Sequence, residues 1–223
     1  MVRRTKADAE ATRHRLLDAA EQLFQTKGVS RTTLNDIAQA ADATRGAVYW
    51  HFKDKADLFN AMMERVTLPL EQALESATAA HKGNALQSMC QPLFFAMRQV
   101  MEDPHTRRVF EVATHMVEYS NDMLAVRERH LQVRGDCMGL TRNGLADAAQ
   151  QAGITLAMPL EAAVQGFQAL IDGLFENWLL TPEAFDLEIL GRQVVAAYLR
   201  GLGFPADQVE ALQRERAANP LAS

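Results

Sequence analysis

The sequence predicts an all-α protein of about nine helices and a short tail. Three observations carry this. Apolar residues recur at spacings of three and four along nearly the whole chain, as in Leu16, Leu17, Ala20, Leu23 and Phe24. No stretch alternates apolar and polar residues as a half-buried strand does. The breaks are short and carry helix punctuation: Lys27-Gly28, Asp103-Pro104, Ser120-Asn121, Met158-Pro159 and Thr181-Pro182.

Taken in order, the first helix spans about residues 8–27, where a basic last turn and Gly28 stop it. Thr33 with Asp36 three residues later forms a capping-box pattern, opening a short second helix with Leu34, Ile37, Ala38 and Ala41 on its inner face. Thr44 caps a third helix ending near Phe52. Asp54 caps a long fourth, which Pro69 is expected to kink and Gly83 to end. Five more follow at roughly 84–103, 105–119, 122–151, 159–180 and 185–202.

At 223 residues the chain has room for a small and a medium domain. A composition 48% hydrophobic and 23% charged excludes a disordered chain. No apolar run approaches the roughly 18 residues of a membrane span, and the first residues lack a signal-peptide apolar region, so no membrane partner and a cytoplasmic location are expected. Cys90 and Cys137 stand without Cys-x-x-Cys or a nearby histidine pair, so neither disulfide, metal nor other cofactor is expected. The net charge of −5 divides unevenly. Residues 1–66 hold 11 of the 23 Lys/Arg and 9 of the 28 Asp/Glu, net +2, leaving net −7 on the rest. An anionic partner is therefore expected at the N-terminal end.

The same end carries a spacing with a specific mechanical reading. Counted from Leu34, the fifth, ninth and fifteenth positions are Ala38, Asp42 and Val48. A helix-turn-helix needs a small residue where its second helix crosses and an apolar plug at the fifteenth position, and its ninth residue takes a positive φ. With Val48 and Phe52 inward, Arg45, Gly46, Tyr49 and Trp50 face outward. Arg45 can reach a guanine edge, Gly46 admits close approach, and Tyr49, Trp50 and His51 offer polar groups to phosphates or bases of double-stranded DNA. Thr33, Thr44 and Lys55, at the starts of the second, third and fourth helices, stand where side chains can hold flanking phosphates, with Arg3, Arg4 and Lys6 nearby in sequence. The alternative is that Tyr49 to Phe52 form a core aromatic cluster.

The segment TTLNDIAQAADATRGAVYWHFKDKADLF, residues 32–59, resembles the TetR family of repressors, whose Gly-x-hydrophobic-Tyr-x-His-Phe hallmark stands here at Gly46 to Phe52 with Lys55 three residues on. The usual Gly-Val of the turn is Asp42-Ala43. The resemblance implies a three-helix DNA-binding domain at residues 1–53 and a larger helical ligand-binding and dimerisation domain at 54–223, with the fourth helix as connector and lever. It also implies a homodimer on operator DNA.

Residues 166–190, GFQALIDGLFENWLLTPEAFDLEIL, resemble the AcrR-like branch, regulators of multidrug efflux pumps. The eighth helix reads as apolar nearly all round, through Val164, Phe167, Leu170, Ile171, Leu174, Phe175, Trp178 and Leu179. With Ile189, Val194 and Tyr198 of the ninth, its Phe167 and Leu174 are expected to meet a second copy in a four-helix interface, the alternative being one larger monomeric core. A small lipophilic or aromatic ligand is expected where polar residues interrupt apolar faces. These are Gln168 and Asp172 beside Ile171 and Phe175, Cys137 and Thr141 on the seventh helix, and Thr114 beside Phe110 on the sixth. Met89, Leu93 and Met97 add an adaptable stripe. Asp172 must pair internally or serve the ligand, because an isolated buried carboxylate is costly. Two other readings stay open: a sensor of an acyl or other metabolite, and a helical enzyme using Asp172 and His115 as acid and base.

Overall fold

A computed structural model describes residues 6–80, 83–117 and 123–214, with the backbone alone for 69–80 and 214. Among the described residues there are ten helices and no strand: α1 (Lys6–Lys27), α2 (Leu34–Ala40), α3 (Arg45–His51), α4 (Lys55–Ala80), α5 (Ala85–Glu102), α6 (Pro104–His115), α7 (Leu124–Ala152), α8 (Leu160–Leu180), α9 (Leu187–Gly201) and α10 (Ala206–Arg214). The tenth corrects the expected tail. Nine residues with two fully buried side chains, Val209 and Leu212, give too little periodicity to read in advance, but those side chains and the bond from Arg192 Nη1 to the Leu212 carbonyl, 2.6 Å, fix the segment. α4 continues through Pro69 as one element.

The chain divides into two compact units, residues 1–68 with 105–132 and residues 69–104 with 133–223. These compact units part at 68/69, 104/105 and 132/133, and the residues 1–53 expected to bind DNA all lie in the first. Three short helices alone bury only a modest share of their apolar surface. The core around Leu16, Phe24, Ile37, Val48 and Phe52 is completed by Leu58, Met62 and Val66 of α4, Val109 and Val112 of α6, and Met123 and Val126 at the start of α7.

A polar seam also ties α6 to α1. Glu21, only 3% exposed, accepts from Arg108 Nε at 2.8 Å and lies 2.8 Å from His105 Nδ1. Further along, Gln25 donates to Glu111 at 3.0 Å and the Val29 N–H to the Met116 carbonyl at 3.1 Å. The pairs advance together in both segments. Glu21 occupies the inward face of α1 between Leu17 and Phe24, which is tolerable for a carboxylate only with such donors.

In the second unit α9 packs against α5, α8 and α10. Tyr198 donates to the Ala163 carbonyl at 2.8 Å and lies so close over Gly166 that a Cβ there would stand 2.5 Å from its hydroxyl. Burial pushes the Tyr198 hydroxyl above its usual pKa, against a smaller lowering from a backbone bond. Within the interior, Glu188 accepts both Nε and Nη2 of Arg98, at 2.8 and 2.7 Å, and both Nε and Nη2 of Arg192, at 3.0 and 2.8 Å. The Arg192 guanidinium also lies 4.2 Å from the Phe94 ring centre.

Candidate nucleic-acid interface

α2 and α3 are short helices whose ends are fixed by side chains. The Thr33 hydroxyl accepts from the Asp36 N–H at 3.1 Å, and the Thr33 N–H donates to the Asp36 carboxylate at 2.9 Å, closing both halves of the capping box. These bonds hold the Asp36 carboxyl below the usual carboxylate range. At the other end Asp42 has φ +48°. Its N–H bonds to the Gln39 carbonyl at 3.2 Å and the Ala43 N–H to the Ala38 carbonyl at 2.9 Å, the paired closure of a Schellman motif. The left-handed residue is thus the ninth of the bihelical unit, where the spacing placed it. Thr44 then caps α3, its hydroxyl accepting from the Ala47 N–H at 3.2 Å.

α3 shows two faces. Ala47 and Val48 are buried, and Phe52 behind them is 2% exposed with the Arg13 guanidinium 5.3 Å over its ring. Arg45, Gly46, Tyr49 and Trp50 are exposed, Trp50 at 71%. The aromatic run is therefore split, with Phe52 in the core and the two aromatics before His51 outside. Arg45 Nη2 donates to the Tyr49 hydroxyl at 3.4 Å and its guanidinium lies 5.5 Å from the Tyr49 ring centre. That bond raises the Arg45 pKa further, so the group is a fixed cation. His51 is half-buried with its ring edge-on to Trp50 at 4.5 Å. A Cβ on Gly46 would meet nothing nearer than the Thr44 hydroxyl at 3.9 Å, so no neighbouring side chain requires a glycine that costs helix stability of order 1 kcal/mol.

Thr33 and Thr44 are exposed at the two helix starts. Lys55, expected to hold a flanking phosphate, donates from Nζ to the carbonyls of Val29 and Ser30 at 3.0 and 3.2 Å. Pairing with backbone carbonyls 25 and 26 residues back leaves no periodic trace in sequence. Lys6 is exposed at the start of α1, and Arg3 and Arg4 lie outside the described residues.

The residues expected to line a ligand site are not gathered in one unit. Phe110 and Thr114 belong to the first, where Phe110 packs on the core and Thr114 is exposed. The others are in the second. There Met97 is fully buried, Met89 fills the space over Gly144, 2.8 Å from where a Cβ would stand, and Leu93, Thr141, Gln168 and Phe175 are half-buried. Ile171 is buried and Cys137 exposed, whereas Cys90 is wholly buried and its thiol pushed up to about 12 by that burial.

Asp172 has the internal partners its position called for. It accepts from Gln168 Nε2 at 2.6 Å and pairs with Arg134 of α7, while keeping 42% of its side chain exposed. Arg134, 38 residues away, is the contact that the apolar-face reading missed.

Of the residues expected to meet a second copy, Phe167 and Leu174 are buried within the chain, and Val194 and Tyr198 are half-buried, Phe167 and Tyr198 packing ring to ring at 6.0 Å. Ile189 is 59% exposed and Leu180 64%. Within the chain α8 is covered on the face of Val164, Phe167, Ile171, Leu174 and Trp178, while Ala162, Gln165, Ala169, Glu176 and Asn177 are exposed.

No helix among the described residues is long and apolar enough to cross a membrane.

A capped bihelical unit presenting Arg45, Tyr49 and Trp50 over a buried plug, joined to a larger helical unit, defines a helix-turn-helix DNA-binding protein. A family model described as bacterial regulatory proteins, tetR family, matches residues 16–62, and one for the C-terminal region of MAATS-type transcriptional repressors matches residues 84–204. The HTH-type transcriptional regulator TtgR of Pseudomonas putida is 35% identical over 187 residues, 84% of this chain and 89% of TtgR. The crystal structure of NalD, the secondary repressor of the MexAB-OprM multidrug efflux pump in Pseudomonas aeruginosa, aligns with a TM-score of 0.78 at 34% identity, covering 88% of this chain and 98% of NalD. A complex of SmeT with triclosan aligns at 0.70 and 30% identity, covering 85% and 90%, SmeT being the repressor of the Stenotrophomonas maltophilia multidrug efflux pump SmeDEF. The chain belongs to the TetR family of bacterial transcriptional regulators.

Proposed function

We propose that this protein is a cytoplasmic repressor that controls a multidrug efflux operon, binding its operator as a homodimer and leaving it when a small lipophilic or aromatic compound binds the helical unit around α5, α7 and α8. It acts by binding, with no chemical step of its own. The observation that carries the DNA reading is the exposed face of α3: Arg45 held by Tyr49, Trp50 extended into solvent, and a glycine between them with no packing demand of its own. Such a face fits a major groove, where Arg45 can take a guanine edge and Gly46 lets the backbone approach. Thr33, Thr44 and His51 stand at its margins for phosphates.

The efflux assignment and the aromatic ligand rest on the relatives, since NalD and SmeT repress multidrug pumps and SmeT holds triclosan. Release requires the compound to favour the non-binding state by about 1 to 3 kcal/mol.

The test is fluorescence anisotropy with the DNA upstream of the protein's own gene and its neighbours, with and without a panel of cationic, neutral aromatic and acyl compounds. Tight, salt-dependent binding released by aromatic compounds supports the proposal. Release by acyl compounds alone would move the ligand class to a metabolite. Arg45→Ala should weaken binding by about 1 to 3 kcal/mol with far-UV circular dichroism unchanged. Unchanged affinity in that variant would remove α3 as the reader.

A further inference from the structure

We propose that Arg134 is a ligand-binding residue, through which the site at α7 and α8 prefers aromatic compounds that carry an anionic group such as a carboxylate. This deepens the reading that a small compound binds around α5, α7 and α8, and rests on it. On α7 the side chains of Arg134, Met138, Thr141 and Leu145 share one side, the first three half-buried and the last fully buried, while Val133 and Leu140 are exposed. Arg134 thus sets a cation on a side of the helix that is otherwise mostly apolar and turned inward. Its partner on α8, Asp172, follows the buried Ile171 and has Gln168 one turn before it.

The wiring of this pair decides which charge a ligand meets. Each Asp172 oxygen already holds a donor, Oδ1 the Gln168 amide at 2.6 Å and Oδ2 the Arg134 Nη1. The guanidinium spends one of its five N–H groups on that bond, and its Nε and Nη2 have no protein partner among the described residues. Gln168 holds the carboxylate, the carboxylate holds the guanidinium, and most of the donors on that fork stay available. Arg134 keeps only 35% of its side chain exposed, so those donors are partly withdrawn from water. A ligand carboxylate matches two of them with parallel N–H bonds, which a neutral amide does less well and a cation not at all. Asp172 works against the same anion through its charge. Removing that charge therefore strengthens the preference, and removing Arg134 reverses it.

The experiment uses three compounds built on one ring system, naphthoate, naphthamide and naphthylmethylammonium, titrated by calorimetry into the full-length protein at neutral pH without DNA. Naphthoate is expected to bind about fivefold to tenfold tighter than naphthamide. Arg134→Met should weaken naphthoate by about tenfold, leave naphthamide within about twofold and strengthen naphthylmethylammonium by about threefold. Asp172→Asn should do the opposite, strengthening naphthoate and weakening naphthylmethylammonium. Arg134→Lys, which keeps the charge but not the fork, should fall between Arg134→Met and the unsubstituted protein. The thermal unfolding midpoint of each ligand-free variant should stay close to that of the unsubstituted protein, because a half-exposed pair contributes little to stability. The proposal is overturned if the unsubstituted protein binds naphthoate no better than naphthamide, failure to bind either included. It is also overturned if Arg134→Met weakens all three compounds equally, the mark of a pair that only ties α7 to α8. Operator release by aromatic compounds without any preference for naphthoate would leave the proposed function standing and remove this inference alone. The titration itself needs no DNA, so it judges Arg134 even if operator binding fails.

Discussion

Replacing Glu188 with glutamine should be the most damaging single-atom change available in the second unit. Its side chain is 7% exposed and lies between Arg98 and Arg192, at 6% and 8%, as the carboxylate facing both. Burial disfavours its ionisation, yet hydrogen bonds and charge from Arg98 and Arg192 together outweigh that and hold the carboxyl below its usual range. In Glu188→Gln two buried guanidinium groups lose that counter-charge, and an amide N–H₂ faces donors. Breaking a buried ion pair in this way costs about 3 to 5 kcal/mol. For a chain of this length each kcal/mol moves Tm by about 2 to 4 °C, so a fall of about 6 to 20 °C is expected.

The assay is thermal unfolding by circular dichroism, paired with urea titration to check that the m-value is unchanged. Replacing all three residues by Met, Leu and Met should cost far less, since the desolvation penalty leaves with the charges, apart from the Leu212 carbonyl that Arg192 serves. Because the native carboxyl pKa is lowered, its stabilisation is present above the unfolded-state value and is lost as pH falls through the native value; this acid-side loss should shrink in Glu188→Gln. A Tm within about 3 °C of the unsubstituted protein would refute the counterion role.

Four other outcomes are expected. At Asp42, φ +48°, alanine should lower stability by about 1 kcal/mol while glycine does not, measured by urea titration; equal stabilities would mean the turn carries no left-handed strain. Glu21→Gln should destabilise by about 1 to 3 kcal/mol and speed hydrogen exchange in α6, and unchanged α6 protection would show the seam to be incidental. Ile189→Glu should give monomers in light scattering with weakened operator binding, whereas a monomeric unsubstituted protein at micromolar concentration would end the dimer proposal. Asp172→Asn, at a half-exposed pair with Arg134, should change stability by no more than about 1 kcal/mol while weakening cationic inducers more than neutral ones. Equal loss for every inducer with a destabilised protein would make Asp172 structural.

What the sequence by itself determined was local. Thr33 with Asp36, Thr44 with the α3 amides, and Asp42 in the turn were legible because caps and left-handed residues act over three to five positions. The inward Val48 and Phe52 and the outward Arg45, Tyr49 and Trp50 followed from the angle of about 100° per residue that any α-helix imposes. Only the tertiary structure decided which long-range partner each polar residue took. Lys55 reaches carbonyls 25 and 26 residues back, Glu21 meets α6 across 87 residues, Arg134 neutralises Asp172, and Glu188 gathers Arg98 and Arg192. It also decided that α6 completes the core behind the reading head and that Val209 and Leu212 bury a tenth helix. Periodicity shows that a face will be buried but not against what. The partner is chosen by close packing and by the need of every buried charge for a counter-charge, and both are properties of the folded chain.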